Sequence, residues 1–163
     1  MKEAISQILR HTPSENVIFL CIGSNRSVGD SLGPLVGTML KENKAPFHVY
    51  GTIEEPVHAL NIELVLTEIN RNFSSPLIIP IDASLGDARQ VGDIYLVEGP
   101  LTPGKAIDQA LPPLGRHHIR AVVNQLDPLA PVQSLRDADK GQVLQLAQII
   151  AQVVKSIEAE KIS

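Results

Sequence analysis

The sequence is poor in the residues from which several kinds of site are built. It has no tryptophan and only three Phe and two Tyr, which leaves little aromatic surface for stacking nucleic-acid bases. Its 14 Lys and Arg stand against 18 Asp and Glu, for a formal net charge of -4, and the basic residues form no dense cluster. Nucleic-acid affinity comes largely from neutralised phosphates, so no nucleic-acid partner is expected. A single cysteine, Cys21, excludes an internal disulfide, and its place in an apolar run suits a small buried hydrophobe better than a nucleophile. No apolar stretch approaches the roughly 20 residues of a membrane span, and Met1-Lys2-Glu3-Ala4 begins polar and helical rather than as a signal peptide. The expected setting is cytoplasmic, without a membrane partner.

What is present fits one compact α/β domain over residues 1–163, with 44% hydrophobic residues to fill a core and 20% charged residues to cover it. The chain is organised around residues 17–39, VIFLCIGSNRSVGDSLGPLVGTM. Val17 to Ile22 is an unbroken apolar run, as expected of a strand buried on both faces of a parallel sheet. Gly23 ends it, and a polar loop leads to Asp30, directly before a helix expected over about Ser31 to Glu42. An aspartate there suits a helix cap at the positive end of the helix dipole. The loop also lies where open α/β sheets bind ligands, beyond the carboxyl ends of their strands. Both roles are open to Asp30.

The remaining chain alternates. A leading helix carries Ala4, Ile5, Ile8 and Leu9; Phe47 to Thr52 reads as strand two; a helix runs from Leu60 to about Asn70; and Leu77 to Asp82 reads as strand three, ending on an acid and containing Pro80. This β-α-β-α-β order predicts a parallel sheet with helices on both faces. Gly92 to Glu98 follows too soon for a helical crossover of about a dozen residues, so it is expected to pair antiparallel at an edge. Gly99 to Gly104 and Ala110 to Gly115 read as loops, His118 to Asn124 as the last strand, and Asp137 to Glu160 as one long amphipathic helix. The fold class expected is three-layer α/β/α, mostly parallel with one antiparallel edge strand.

Two familiar signatures fail. Gly29-Asp30-Ser31-Leu32 spells the motif of the GDSL esterases, yet their histidine base comes late in the chain, and here none follows His118. The glycines of Gly23 to Gly33 lack both the Gly-Lys-Ser/Thr ending and the G-x-G-x-x-G spacing of a phosphate cradle. Asp82 is the better companion for Asp30, since both acids fall at the carboxyl edge of the parallel sheet. Two carboxylates in one crevice raise each other's proton affinity, so one can hold a proton while the other polarises water. Such a pair can also hold a hard divalent cation, or a borderline one if a histidine joins. The structural alternative is that Asp82 only caps a turn at Ala83-Ser84.

The segments SVGDSLGPLVG (27–37), GTIEEPVHALN (51–61), IDASLG (81–86) and VGDIYLVEGPLTPGKA (91–106) resemble the YyaC-type sporulation proteins of spore-forming bacteria. These are similar in turn to the germination protease and, more distantly, to hydrogenase maturation proteases. The resemblance implies a phosphorylase/hydrolase-like α/β fold and a peptide or protein substrate. It also implies that Asp30 and Asp82 match the two catalytic aspartates of the germination protease. The hydrogenase proteases place a metal-binding glutamate at the first of these positions and an aspartate at the second. In those relatives a histidine lies near the site after the antiparallel strand, where this sequence has Thr102.

The expectation is therefore a sporulation-associated peptidase that hydrolyses a peptide bond with Asp30 and Asp82. The alternative is a non-catalytic spore-development protein that binds a peptide or partner in the same crevice. Asn25, Glu55 and His58 are the candidate substrate-binding residues. His58 is also the candidate third ligand should a metal bind, with a helix-start role as its structural alternative. No cofactor is expected, and any divalent metal is expected to bind weakly.

Overall fold

A computed structural model describes residues 1–102 and 113–162. Parts of both expected loops and the end of the 91–106 motif lie outside the described residues. Five strands form one sheet in the order β2-β1-β3-β5-β4. They are β1 (Val17–Cys21), β2 (His48–Tyr50), β3 (Leu77–Gly86), β4 (Ile94–Glu98) and β5 (His117–Gln125). All pairs are parallel except β4 with β5, so the antiparallel edge strand sits where the short connection after strand three requires.

Period-two alternation assigns the strand residues to two apolar layers. Val17, Phe19, Cys21, Ile79, Ile81, Ile119, Ala121 and Val123 face one core. That core is closed by α1 (Lys2–Leu9), α2 (Leu32–Glu42) and α5 (Lys140–Ile162). On the other face Ile18, Leu20 and Ile22 pack with Ile62 and Ile69 of α3 (Ile62–Asn72). Helices thus cover both faces of a mostly parallel sheet.

Several element boundaries differ from the sequence-based expectation. Strand one stops at Cys21, and Ile22 makes a single parallel bridge to Val57. Strand two is only three residues long, because Gly51 turns the chain at φ 94°. The third helix begins at Ile62, which leaves Leu60 outside it and 72% exposed. Strand three continues four residues past Asp82, to Gly86, because β5 goes on pairing with it from Ile81 to Gly86. Asp82 therefore caps no turn at Ala83-Ser84. Pro80 is tolerated inside β3 because the ladder with β5 starts only at Ile81. The long final helix starts at Lys140 rather than Asp137, and the chain before it forms a separate short helix, α4 (Pro131–Arg136), which opens on a proline. The start of α5 is held by Asp139, whose Oδ2 accepts the Gln142 N–H at 2.8 Å.

Candidate active site

Asp30 and Asp82 reach the same end of the sheet from different elements. Asp30 lies in a one-turn 3₁₀ helix, Gly29–Ser31, which precedes α2 and packs against β3, α4 and α5. A glycine seats this turn. Gly23 has φ 152°, and a Cβ there would collide with the Asp30 carbonyl. Ser24 then closes the loop twice: its N–H donates to the Asp30 carbonyl at 3.1 Å and its hydroxyl to Asp30 Oδ2 at 2.7 Å.

The Asp30 side chain is thus not the helix cap that its position suggested. Its carboxylate accepts a hydroxyl at a length typical of charge-assisted bonds, and its own N–H donates to Ser27 Oγ at 3.4 Å. Ser24 was not singled out from sequence. Its only signal is a hydroxyl immediately after the glycine that ends strand one, too common a feature to pick out.

Asp82 sits in β3 just past the end of β1, where the Ile22 N–H donates to the Ile81 carbonyl at 2.8 Å. The residue keeps some surface, but protein surrounds its carboxyl. Burial pushes this carboxyl well above the usual aspartate range, the charge of Asp30 pushes it further, and a hydrogen bond from the Ala83 backbone offsets part of the rise. The charge of Asp30 thus bears on the Asp82 carboxyl.

The other expected site residues lie elsewhere. Asn25 is exposed and donates from Nδ2 to the Ile53 carbonyl at 2.8 Å, which fastens the Asp30 loop to the segment after β2. Glu55 and His58 line a cleft of about 710 Å³ along the outer side of β2, between the end of α2 and the start of α3, and neither aspartate lines it. His58 takes the backbone-bonded role: its Nδ1 accepts the Leu60 N–H at 3.2 Å, and its own N–H donates to Asn61 Oδ1 at 2.8 Å.

Among the described residues no three His, Cys, Asp or Glu side chains gather into a possible metal site. The donor set at the crevice is two carboxylates, with Thr102 rather than a histidine after β4. That set does not fit a three-ligand nickel or zinc centre. Cys21 stays outside the chemistry as well, since burial pushes its thiol up to about 12. Among the described residues no helix is long and apolar enough to cross a membrane.

Comparison with known proteins agrees with this architecture. Over 121 residues the chain is 42% identical to the uncharacterized protein YyaC of Bacillus subtilis strain 168, an overlap of 74% of this chain and 59% of that protein. The chain thus spans under two thirds of that relative's length. The [NiFe] hydrogenase maturation protease HycI of Thermococcus kodakarensis KOD1 has a similar fold at 15% identity, with a TM-score of 0.55 over 93% of this chain and 99% of its own. HybD, a [NiFe] hydrogenase maturation protease from Thermococcus kodakarensis, is similar at 15% identity and a TM-score of 0.53, over 88% of this chain and 99% of its own. Residues 1–153 match the family model described as Protein of unknown function (DUF1256), and the chain belongs to that family.

Proposed function

We propose that this chain is a peptidase that uses Asp30 and Asp82 to hydrolyse a peptide bond in a protein substrate, and that it works during sporulation. The observation that carries the reading is the unequal treatment of the two acids. Asp82 holds its proton above the usual range because it is buried beside Asp30, whereas Asp30 has Oδ2 bonded to Ser24 and Oδ1 without a hydrogen bond among the described residues. Asp30 Oδ1 takes a proton from a water as the water oxygen bonds to the scissile carbonyl carbon. Asp82 gives its proton to the carbonyl oxygen; as the tetrahedral intermediate collapses the C–N bond breaks, Asp30 passes the proton it took from water to the leaving nitrogen, and a hydroxyl proton of the intermediate returns to Asp82. No step is assigned to a metal. The shared fold with two maturation proteases supports the reading as a likeness of scaffold, and the sporulation setting rests on the sequence resemblance.

The cleft along β2 favours a second reading. Its walls carry Lys41, Lys44, Glu55 and His58, and it borders a short strand whose outer edge pairs with no described strand. An extended peptide adds naturally to such an edge, so a chain that only binds a peptide would use it. Incubating spore-protein extract with the wild type and with Asp30→Asn, then sequencing new chain termini, separates the two. New termini made by the wild type and reduced by about 10²-fold or more in the variant are expected. Equal termini from both proteins would overturn the catalytic reading.

A further inference from the structure

Across the sheet from Asp82 lies a positive charge that no carboxylate of the described residues claims. Arg120 of β5 is the register partner of Asp82 on one side and of Tyr95 in β4 on the other. Residues directly opposite one another in a ladder project to the same face, so Asp82, Arg120 and Tyr95 form a row on the face away from α1, α2 and α5. The guanidinium lies over its other register partner, Tyr95. Its carbon stands 5.1 Å from the centre of the Tyr95 ring. Tyr95 is itself steadied by its hydroxyl, which donates to Asp93 Oδ2 at 3.0 Å.

Arg120 Nε is fully buried and meets no hydrogen-bond acceptor among the described residues. Burial without a partner is confined to Nε, while Arg120 as a residue is only half-buried, so the part of the N–H fork left for a ligand is its Nη1/Nη2 end. The chemistry that completes such a fork is a carboxylate, held by two parallel N–H···O bonds.

We propose that Arg120, seated on Tyr95, is a specificity-determining residue that binds a carboxylate of the substrate peptide. Two strand spacings of about 4.8 Å separate Asp82 from Tyr95, which puts the bound carboxylate roughly two to three extended residues from the scissile bond. The carboxylate is either an Asp or Glu side chain or the C-terminal carboxylate of the chain being cut. The inference rests on the peptidase reading for its substrate class, but binding tests it without turnover.

Affinity selection on immobilised Asp82→Asn protein, read by mass spectrometry, uses three heptapeptide libraries. One has a fixed central Glu and an amidated C-terminus, one a central Gln and a free C-terminus, and one a central Gln and an amidated C-terminus. Retention of one or both carboxylate libraries at least 10-fold over the neutral one is expected. That preference should vanish in Arg120→Gln and be reduced but present in Arg120→Lys, both with unchanged thermal unfolding. The Glu library identifies a side-chain carboxylate as the group recognised, and the free-terminus library a chain end. Equal retention of all three libraries, or a preference that survives Arg120→Gln, would overturn the proposal. If the preference depends on Arg120 while the extract assay shows no termini that depend on Asp30, the carboxylate site stands and the peptidase reading falls.

Discussion

Asp82 contributes in opposite directions to stability and to chemistry. Its proton is held more tightly in the folded chain than in the unfolded one, because burial and Asp30 both disfavour the ionised form. Its stabilising contribution is therefore complete at pH below the unfolded value and is lost as pH rises through the folded one. Asp82→Asn is neutral at every pH and escapes that loss. The variant should melt higher than the wild type at neutral pH, with the gap closing as pH falls into the ordinary aspartate range; thermal unfolding across a pH series measures it. A gap constant with pH would place the Asp82 carboxyl in solvent, and one that widens on acidification would mean that the fold favours its ionised form; either outcome overturns the burial account. Both aspartates were legible in the sequence because each stands at the end of a strong apolar run or directly before a helix. Ser24 and Arg120 were not, since what distinguishes them is a partner six residues away and a register across two strands, neither of which leaves a local pattern.

At the scale of elements, the sequence resolved strand and helix types well and their ends poorly. An apolar run such as Val17 to Ile22 announces a buried strand, but where it ends depends on which neighbour continues the ladder. That is why β3 extends beyond Asp82 and β2 shrinks to three residues. The later start of the last helix turned on the side chain of Asp139, and the separate α4 on Pro131, both visible in the sequence yet ambiguous without packing. Helix α2 gives the sharpest test at this scale. Gly37 lies in its interior, where glycine ordinarily costs about 0.5–1 kcal/mol relative to alanine. Here a Cβ would collide with the Gly51 carbonyl, and Gly51 is held at φ 94° with its own Cβ position against the Cys21 carbonyl. Gly37→Ala should therefore reverse the usual sign and destabilise by about 1–3 kcal/mol, the range for overpacking a close contact, as measured by denaturant unfolding. Stabilisation by the alanine would mean that α2 stands further from β1 and β2 than described.

The whole molecule separates two regions that the sequence placed together. The aspartate pair lies at the carboxyl end of β1, with Asp82 inside the longer β3 beside it, whereas Glu55 and His58 belong to the cleft outside β2, one strand beyond β1. A topological rule foretold the first region, because ligands bind beyond the carboxyl ends of parallel strands. The second had no such rule, since a three-residue edge strand and the loop after it define it only once folded. The link between them is the segment from Gly51 to Val57: Gly23 N–H donates to the Val57 carbonyl at 2.8 Å, and Asn25 holds the Ile53 carbonyl. A substrate that enters along β2 would follow this segment towards Asp30. Residues of the cleft then contribute binding that is equal in ground and transition states, which changes KM and leaves kcat alone. Once a cleaved peptide is in hand, Glu55→Ala combined with His58→Ala should raise KM by about 10-fold or more, a loss of roughly 1.4 kcal/mol in binding, at nearly constant kcat. Asp30→Asn should do the reverse and lower kcat at nearly constant KM. Steady-state kinetics on both variants decides the matter. An unchanged KM in the cleft variant would confine the substrate to the aspartate crevice and the Arg120 face, with the β2 cleft left to some other partner.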